Sequence, residues 1–432
     1  SSAVCASIIS SRSLPPAPIP PRRPTPPFGA CPFPAPLNPV LVNLLPTLPH
    51  DNSILFSFAL LGPIGTAQAR LNFLFIISDN QAPDAIAALG HPTVHTPNLD
   101  RLVRDGTTFT HCFNPGSWLG AASRTMLITG QGFFQAPRNK EHLIHWAHPK
   151  GALAVEAQTP VKLWPEVFRN AGYQTFLTGK WHNSDSAIIT SFDHAEAVAL
   201  GMYETIDPHG SKAPGYARPA PDHDLWSPSD PRYTGHWAPY VRDLRPGPDG
   251  KPHMTEPYTV NQHTSELFAD HAVKFLRSHA TSNDDPFFMF VSFNAPHDPR
   301  QAPQSFIELY PPAAMPLPPA YAAQHAFDNG DLTIRDEKLA PAIRTPEAIR
   351  VHRSEYYAII THLDQQIGRI LDTVAASGQA DNTDVVFTSV HSLAVGNRGL
   401  LGKQNSCDHS IRMPFTIVGP GIAADHRRAE KT

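Results

Sequence analysis

Apolar runs alternate with amphipathic stretches along most of this chain. Leu71–Ile77 (LNFLFII) carries almost no polar position, the pattern of a strand buried on both faces. Pro286–Phe293 (PFFMFVSF), Asp384–Ser389 and Met413–Val418 repeat that pattern, and Thr175–Leu177 predicts a shorter strand. Between them lie helical signals. Pro97–Asp105 starts with Thr96 at the N-cap position and Pro97 at the first helical position. Leu163–Asn170 predicts a helix closed by Gly172, and Glu266–His279 is amphipathic. Glu347–Ala376 keeps helical periodicity through Ile359, Leu363, Ile367, Ile370 and Leu371. Strands separated by helices predict an α/β fold of three layers, a mostly parallel sheet with helices on both faces. Residues 203–260 are rich in Pro, Gly, Asp and His and show no period, which predicts a long surface insertion.

Composition changes the picture mainly at the N-terminus. Residues 1–50 hold 14 prolines, three arginines and no acidic residue. Such a segment cannot bury enough apolar surface to fold, and is expected to be disordered or spurious upstream sequence. Residues 54–61 (ILFSFALL) are too short to span a bilayer. Ala67-Gln68-Ala69 follows shortly after. The pair predicts a secretory signal over residues 51–69, a mature chain starting near Arg70, and a secreted or periplasmic location. With a net charge of -4, the chain has no global field suited to nucleic acid or an anionic membrane. The four cysteines show no C-x-x-C spacing. A Cys112–Cys407 bridge is one pairing they leave open.

Ligands of parallel α/β sheets bind beyond the C-terminal ends of the strands, so the polar residues there carry the candidate chemistry. After the first strand come Ser78, Asp79, Asn80 and Gln81; after Phe293 come Asn294, Pro296, His297 and Asp298; after Ser389 come Val390, His391 and Ser392. Gly179-Lys180-Trp181-His182 and Leu401-Gly402-Lys403 complete the set. Oxygen and imidazole donors suit a hard divalent ion, and lysines, arginine and histidines suit a tetrahedral oxyanion.

Five blocks in fixed order, covering about residues 70–422, resemble the sulfatase family of the alkaline-phosphatase superfamily. They are residues 71–109 with Thr96-Pro97-Asn98-Leu99-Asp100, the string Ala122–Gly130 (ASRTMLITG), Arg169–Thr175 leading to Gly179-Lys180-Trp181-His182, Ala295-Pro296-His297, and His391 through Lys403. The resemblance implies hydrolysis of sulfuric esters, on a sulfated small molecule or glycan. The family's nucleophile is a formylglycine made from Cys, working beside a divalent cation, usually Ca²⁺. By matching position, Asp79, Asn80 and His391 would serve the metal, and Arg124 would hold the formylglycine diol. Lys180, His297 and Lys403 would clamp sulfate or protonate the leaving oxygen, and His182 would orient the nucleophile.

The departures from the family pattern fall in that site. The nucleophile position is Gly120, and glycine cannot become formylglycine. The second metal aspartate is Asn80, and Val390 stands where a third carboxylate is expected. The C-terminal antiparallel subdomain of the family is expected to be absent. The sequence therefore implies a sulfatase-type domain over residues 70–432 with catalysis impaired. Two further readings stay open beside it: a pseudoenzyme binding sulfated ligands, and a degenerate gene fragment.

Overall fold

The computed structural model describes residues 70–114, 120–132, 162–199, 201, 227–282, 285–328, 330 and 332–429. The chain divides into two units, Ser1–Gly65 and Thr66–Thr432, and every described residue lies in the second. The candidate signal and the proline-rich segment lie outside the described residues.

Eight strands form the main sheet: β1 (Asn72–Ser78), β2 (Thr107–Phe109), β3 (Gln174–Lys180), β4 (His194–Ala199), β5 (Phe287–Ser292), β6 (Thr383–Ser389), β7 (Phe415–Val418) and β8 (His426–Arg428). Their spatial order is β8-β2-β7-β6-β1-β5-β3-β4. The pairs β6-β1, β1-β5, β5-β3 and β3-β4 are parallel, while β7 runs antiparallel to both β6 and β2. The sheet is therefore mixed but mostly parallel, as the alternation of strand and helix signals implies.

The unbroken apolar strands make sense once their two faces are separated. Leu74 and Ile76 of β1 enter one core with Phe287, Met289 and Val291 of β5. Phe75 and Ile77 enter a second core with Phe288 and Phe290. Successive side chains point to opposite faces, so a strand covered on both sides needs an apolar residue at every position. The first core is roofed by helices α1 (Pro97–Asp105), α5 (Thr264–Ser282) and α6 (Pro346–Ala376). The second is roofed by α2 (Gly120–Thr129), α3 (Trp164–Asn170) and α4 (Asp185–Ser191).

Several local expectations change in detail. Thr96 stands at the N-cap of α1, but its hydroxyl makes no capping bond there. It donates to Asp100 Oδ1 at 3.0 Å. The free amides of α1 are capped across the fold by Asp364 of α6, which accepts from Asn98 N at 3.1 Å and Leu99 N at 2.7 Å. The β3 strand is longer than Thr175–Leu177 because Gly179 and Lys180 belong to it. Gly179 has φ +92, and a Cβ there would stand 1.9 Å from Ser292 O, so only glycine lets β3 approach β5 this closely. Residues 227–260 are not a featureless insertion. Tyr240–Val241 pairs with Tyr258–Thr259, and Leu244–Pro246 with Pro252–Met254. Ladders of two or three residues are too short to register as a period. Residues 203–226 lie outside the described residues. Cys112 and Cys407 are not bridged to each other.

Register sets where the chemistry collects. Ser78 aligns with Ser389 across β1-β6, Ile77 with Ser292 across β1-β5, and Ser292 with Gly179 across β5-β3. The C-terminal ends of four parallel strands are thus level, and the residues that follow each strand meet above one edge of the sheet.

Candidate active site

Asp79, the first residue beyond β1, is fully buried at the centre of the cluster. Lys180 Nζ, from the end of β3, donates to its Oδ2 at 2.5 Å. Arg124, four residues into α2, reaches the same oxygen at 3.4 Å. Its other terminal nitrogen donates to Lys180 O at 2.8 Å and to Ser292 Oγ at 2.7 Å. Lys403 Nζ donates to Asn80 Oδ1 at 2.7 Å and stands 3.8 Å from Asp79 Oδ1. One carboxylate therefore faces three basic side chains, all of them buried.

The electrostatics follow from that imbalance. Burial pushes the Asp79 carboxyl up, but Lys180, Lys403, His297 and Arg124 outweigh it and hold the pKa well below the usual range. Burial pulls the Lys180 ammonium down to about 8, against the pull of Asp79 in the opposite direction. Desolvation also lowers the pKa of His297 and His391, so each buried imidazole holds a proton less readily than in water. His391 Nε2 lies 3.3 Å from Ser123 Oγ, and Asn114 Nδ2 donates to that hydroxyl at 2.9 Å.

His182 sits beside Gly120. Its φ is +60, and burial together with Lys180 and Arg124 pushes its pKa down to about 3. Among the described residues, a Cβ built on Gly120 would meet only His182 Nδ1, at 3.7 Å. A Cβ on Gly201 would stand 3.6 Å from Nε2 of the same ring. The imidazole is thus flanked by two glycines, and its buried Nδ1 has no hydrogen-bond partner among the described residues. Asp79 Oδ1, Asn80 Nδ2, Arg124 Nε, His391 Nδ1 and Asn294 Oδ1 share that condition. A buried polar atom without a partner costs about 1–3 kcal/mol, so such a concentration around one carboxylate points to a ligand.

Of the residues singled out from the sequence, the fold brings Asp79, Asn80, Arg124, Lys180 and Lys403 into direct contact, and sets Gly120 against His182. His391 joins through Ser123, and His297 lies near enough for its charge to bear on Asp79. Val390 is the exception. Its side chain packs into the second core with Ile77 and Phe290, and only its backbone borders the site. Ser292, Asn114 and His236 were not singled out. Ser292 gave no signal at the end of an apolar strand. His236 lies in the stretch without periodicity, yet its Nε2 bonds the backbone carbonyl of His297 at 3.0 Å. A separate cavity of about 710 Å³, bordered by Asp84, Arg398, His409 and Arg412 among others, contains none of the cluster residues. Among the described residues, no group of three or more His, Cys, Asp or Glu converges in a metal-holding arrangement.

A mostly parallel sheet between two helical layers, with an oxyanion-type cluster at its strand ends, is the architecture of the alkaline-phosphatase superfamily. The comparisons with known proteins narrow this further. The family model described as Sulfatase matches residues 71–432, and the chain belongs to the sulfatase family. It is 26% identical over 355 residues to an arylsulfatase of Clostridium perfringens, covering 81% of this chain and 69% of that protein. It is 27% identical over 343 residues to a choline-sulfatase of Rhizobium meliloti, covering 76% of this chain but only 59% of the relative. Among solved structures, a sulfatase-like YidJ protein of Bacteroides fragilis superposes with TM-score 0.60 at 23% identity, covering 84% of this chain and 71% of the other. No described helix is long and apolar enough to cross a membrane.

Proposed function

We propose that this chain uses the sulfatase pocket to bind the sulfate group of a small molecule or glycan, without hydrolysing it by the formylglycine route. The observation that carries the reading is the cluster of Arg124, Lys180 and Lys403 around the single carboxylate of Asp79, beside a residue 120 that has no side chain. A tetrahedral dianion would take the place of the missing negative charge and satisfy the unpartnered donors Arg124 Nε and Asn80 Nδ2. The orphaned Nδ1 of His182, facing the bare Gly120, is what remains where a nucleophile's side chain would begin.

Two features argue against turnover. Hydrolysis needs an attacking heteroatom, and Gly120 offers none. A calcium ion, which the family resemblance implies, does not suit these donors. Asp79 already faces three cations, Asn80 Oδ1 is engaged by Lys403, and Val390 is turned into the core. A calcium ion takes six to eight oxygen ligands, drawn from carboxylates, carbonyls and waters. The same reading assigns the protein to an extracytoplasmic compartment, supported by the apolar run at residues 54–61 and the following Ala-Gln-Ala.

The purified chain is expected to release no product from 4-nitrocatechol sulfate or p-nitrophenyl sulfate, with or without formylglycine-generating enzyme. Sulfate should raise its melting temperature, because a ligand at 100 times its Kd stabilises the native state by about 2.7 kcal/mol. Arg124→Ala and Lys403→Ala should each remove most of that shift. Metal-dependent turnover that is lost in Arg124→Ala would overturn the reading. The absence of any sulfate-induced shift would leave a degenerate remnant of the family.

A further inference from the structure

Two of the anion-facing residues, His297 and Lys403, come from loops 106 residues apart in sequence. A short segment belonging to neither loop holds both. It comprises Arg335 and the first two residues of the 3-10 turn Asp336–Leu339. Arg335 donates through both terminal nitrogens to the Asp298 carboxylate, and through one of them to Asp336. Asp298 in turn stands 3.2 Å from His297 Nδ1, which also bonds the Asp298 carbonyl at 2.9 Å. On the other side, Asp336 accepts from the Gln404 side-chain amide at 2.9 Å. Glu337 accepts from the backbone N–H groups of Leu401 at 2.9 Å and Gly402 at 2.8 Å. Arg344, itself anchored on the carbonyls of Glu337 and Ala340, completes the pairing of the Glu337 carboxylate at 2.7 Å.

The fit is close. A Cβ on Gly402 would stand 2.7 Å from Asp336 Cβ and 3.1 Å from Glu337 Oε1, so the glycine before Lys403 is what lets this loop seat on the turn. Asp298, Asp336 and Glu337 are all buried, whereas Arg335 is 45% exposed. A half-exposed guanidinium is therefore the group that joins two buried carboxylates, one behind His297 and one behind Lys403. The planar fork of arginine can bridge two carboxylates in fixed directions; a lysine ammonium supplies the charge without that geometry.

We propose that Arg335 is a positioning residue for the anion pocket: by bridging Asp298 and Asp336 it fixes the spacing and orientation of His297 and Lys403. It acts through these residues rather than by touching the anion. This rests on the reading of the pocket as a sulfate site, but the geometry of the clamp does not.

The test compares wild type, Arg335→Lys and Arg335→Ala in the full chain, with inorganic sulfate as the probe. Sulfate affinity is measured by calorimetry, and the His297 ring by nitrogen-detected NMR. Loss of a partner that orients a ligating side chain typically weakens binding about 10–100-fold. Arg335→Ala is expected to fall in that range and to shift the His297 ring signals even without sulfate. Arg335→Lys keeps the charge but is expected to recover only part of the affinity. Full recovery by lysine, with His297 signals in Arg335→Ala matching wild type, would reduce Arg335 to a distant charge and overturn the proposal. Should wild type bind no sulfate, the pocket reading fails. The ligand-free His297 signals then decide the clamp: a change in both variants supports it, and no change sinks it. Should Arg335→Ala fail to fold, the lysine variant decides both points.

Discussion

Gly120→Cys tests the proposal that residue 120 stands where a sulfatase nucleophile's side chain would begin. The structure allows the substitution to be sized. Gly120 opens α2, and among the described residues a Cβ there meets only His182 Nδ1, at 3.7 Å, an ordinary van der Waals contact. No described backbone has to move. Replacing glycine within a helix gains at most about 1 kcal/mol, so the melting temperature should change by no more than about 4 °C. The new thiol would sit at a helix N-terminus near Arg124 and Lys180, both of which favour the thiolate, so alkylation should proceed below the usual thiol pKa of about 8.5. Formylglycine-generating enzyme supplies the second arm, with conversion followed by mass spectrometry. Even fully converted protein is expected to leave p-nitrophenyl sulfate intact. Asn80 and Val390 stand where carboxylates are expected. On Coulomb grounds a carboxylate about 4 Å from a divalent ion contributes roughly 8 kcal/mol at an effective dielectric of 20, twice the value for two unit charges. Desolvation offsets part of that, but losing even a quarter of it costs more than tenfold in ion affinity. Turnover by converted Gly120→Cys alone would refute the claim that the cation site has been lost. A variant that unfolds would refute the claim that residue 120 is simply vacant.

Three further outcomes are expected from the same structure. Asp79→Asn removes the only carboxylate among the described residues that pairs with Lys180, Arg124 and Lys403, and should destabilise the protein by about 3–5 kcal/mol in chemical denaturation, with sulfate restoring part of the loss; an unchanged midpoint would contradict it. Anion binding should be strongest below pH 8 and weaken by up to about tenfold per unit above it, because Lys180 loses its proton near pH 8 and the bound dianion favours the protonated form; a flat calorimetric profile from pH 7 to 10 would contradict this. Away from the site, burial raises the Asp364 carboxyl to about 6, so its native form keeps a proton that the unfolded chain gives up near 3.8. Stability from this group is complete below pH 4 and is lost as pH rises through 6, on the order of 3 kcal/mol, and Asp364→Asn should abolish that slope in urea titrations.

The sequence by itself determined the layering of the fold and the inventory of the site. Apolar residues at successive positions in β1, β5 and β6 can be accommodated only by a sheet covered on both faces. The polar residues that end those strands have nowhere to go but a common edge. The glycine at 120, the amide at Asn80 and the apolar side chain at Val390, on which the proposed loss of turnover rests, are likewise written in residue identity. What the tertiary structure decided is which of these groups meet. Val390 turns into the core although it occupies a site position, and Asp364 rather than Thr96 caps α1. His236, in a stretch without periodicity, supports the His297 carbonyl, and Arg335 ties two distant loops together. None of these contacts has a sequence period. Each depends on segments tens to hundreds of residues apart converging within 3 Å or so, and hydrogen-bond geometry over such separations is set by the packing of the whole sheet rather than by any local pattern.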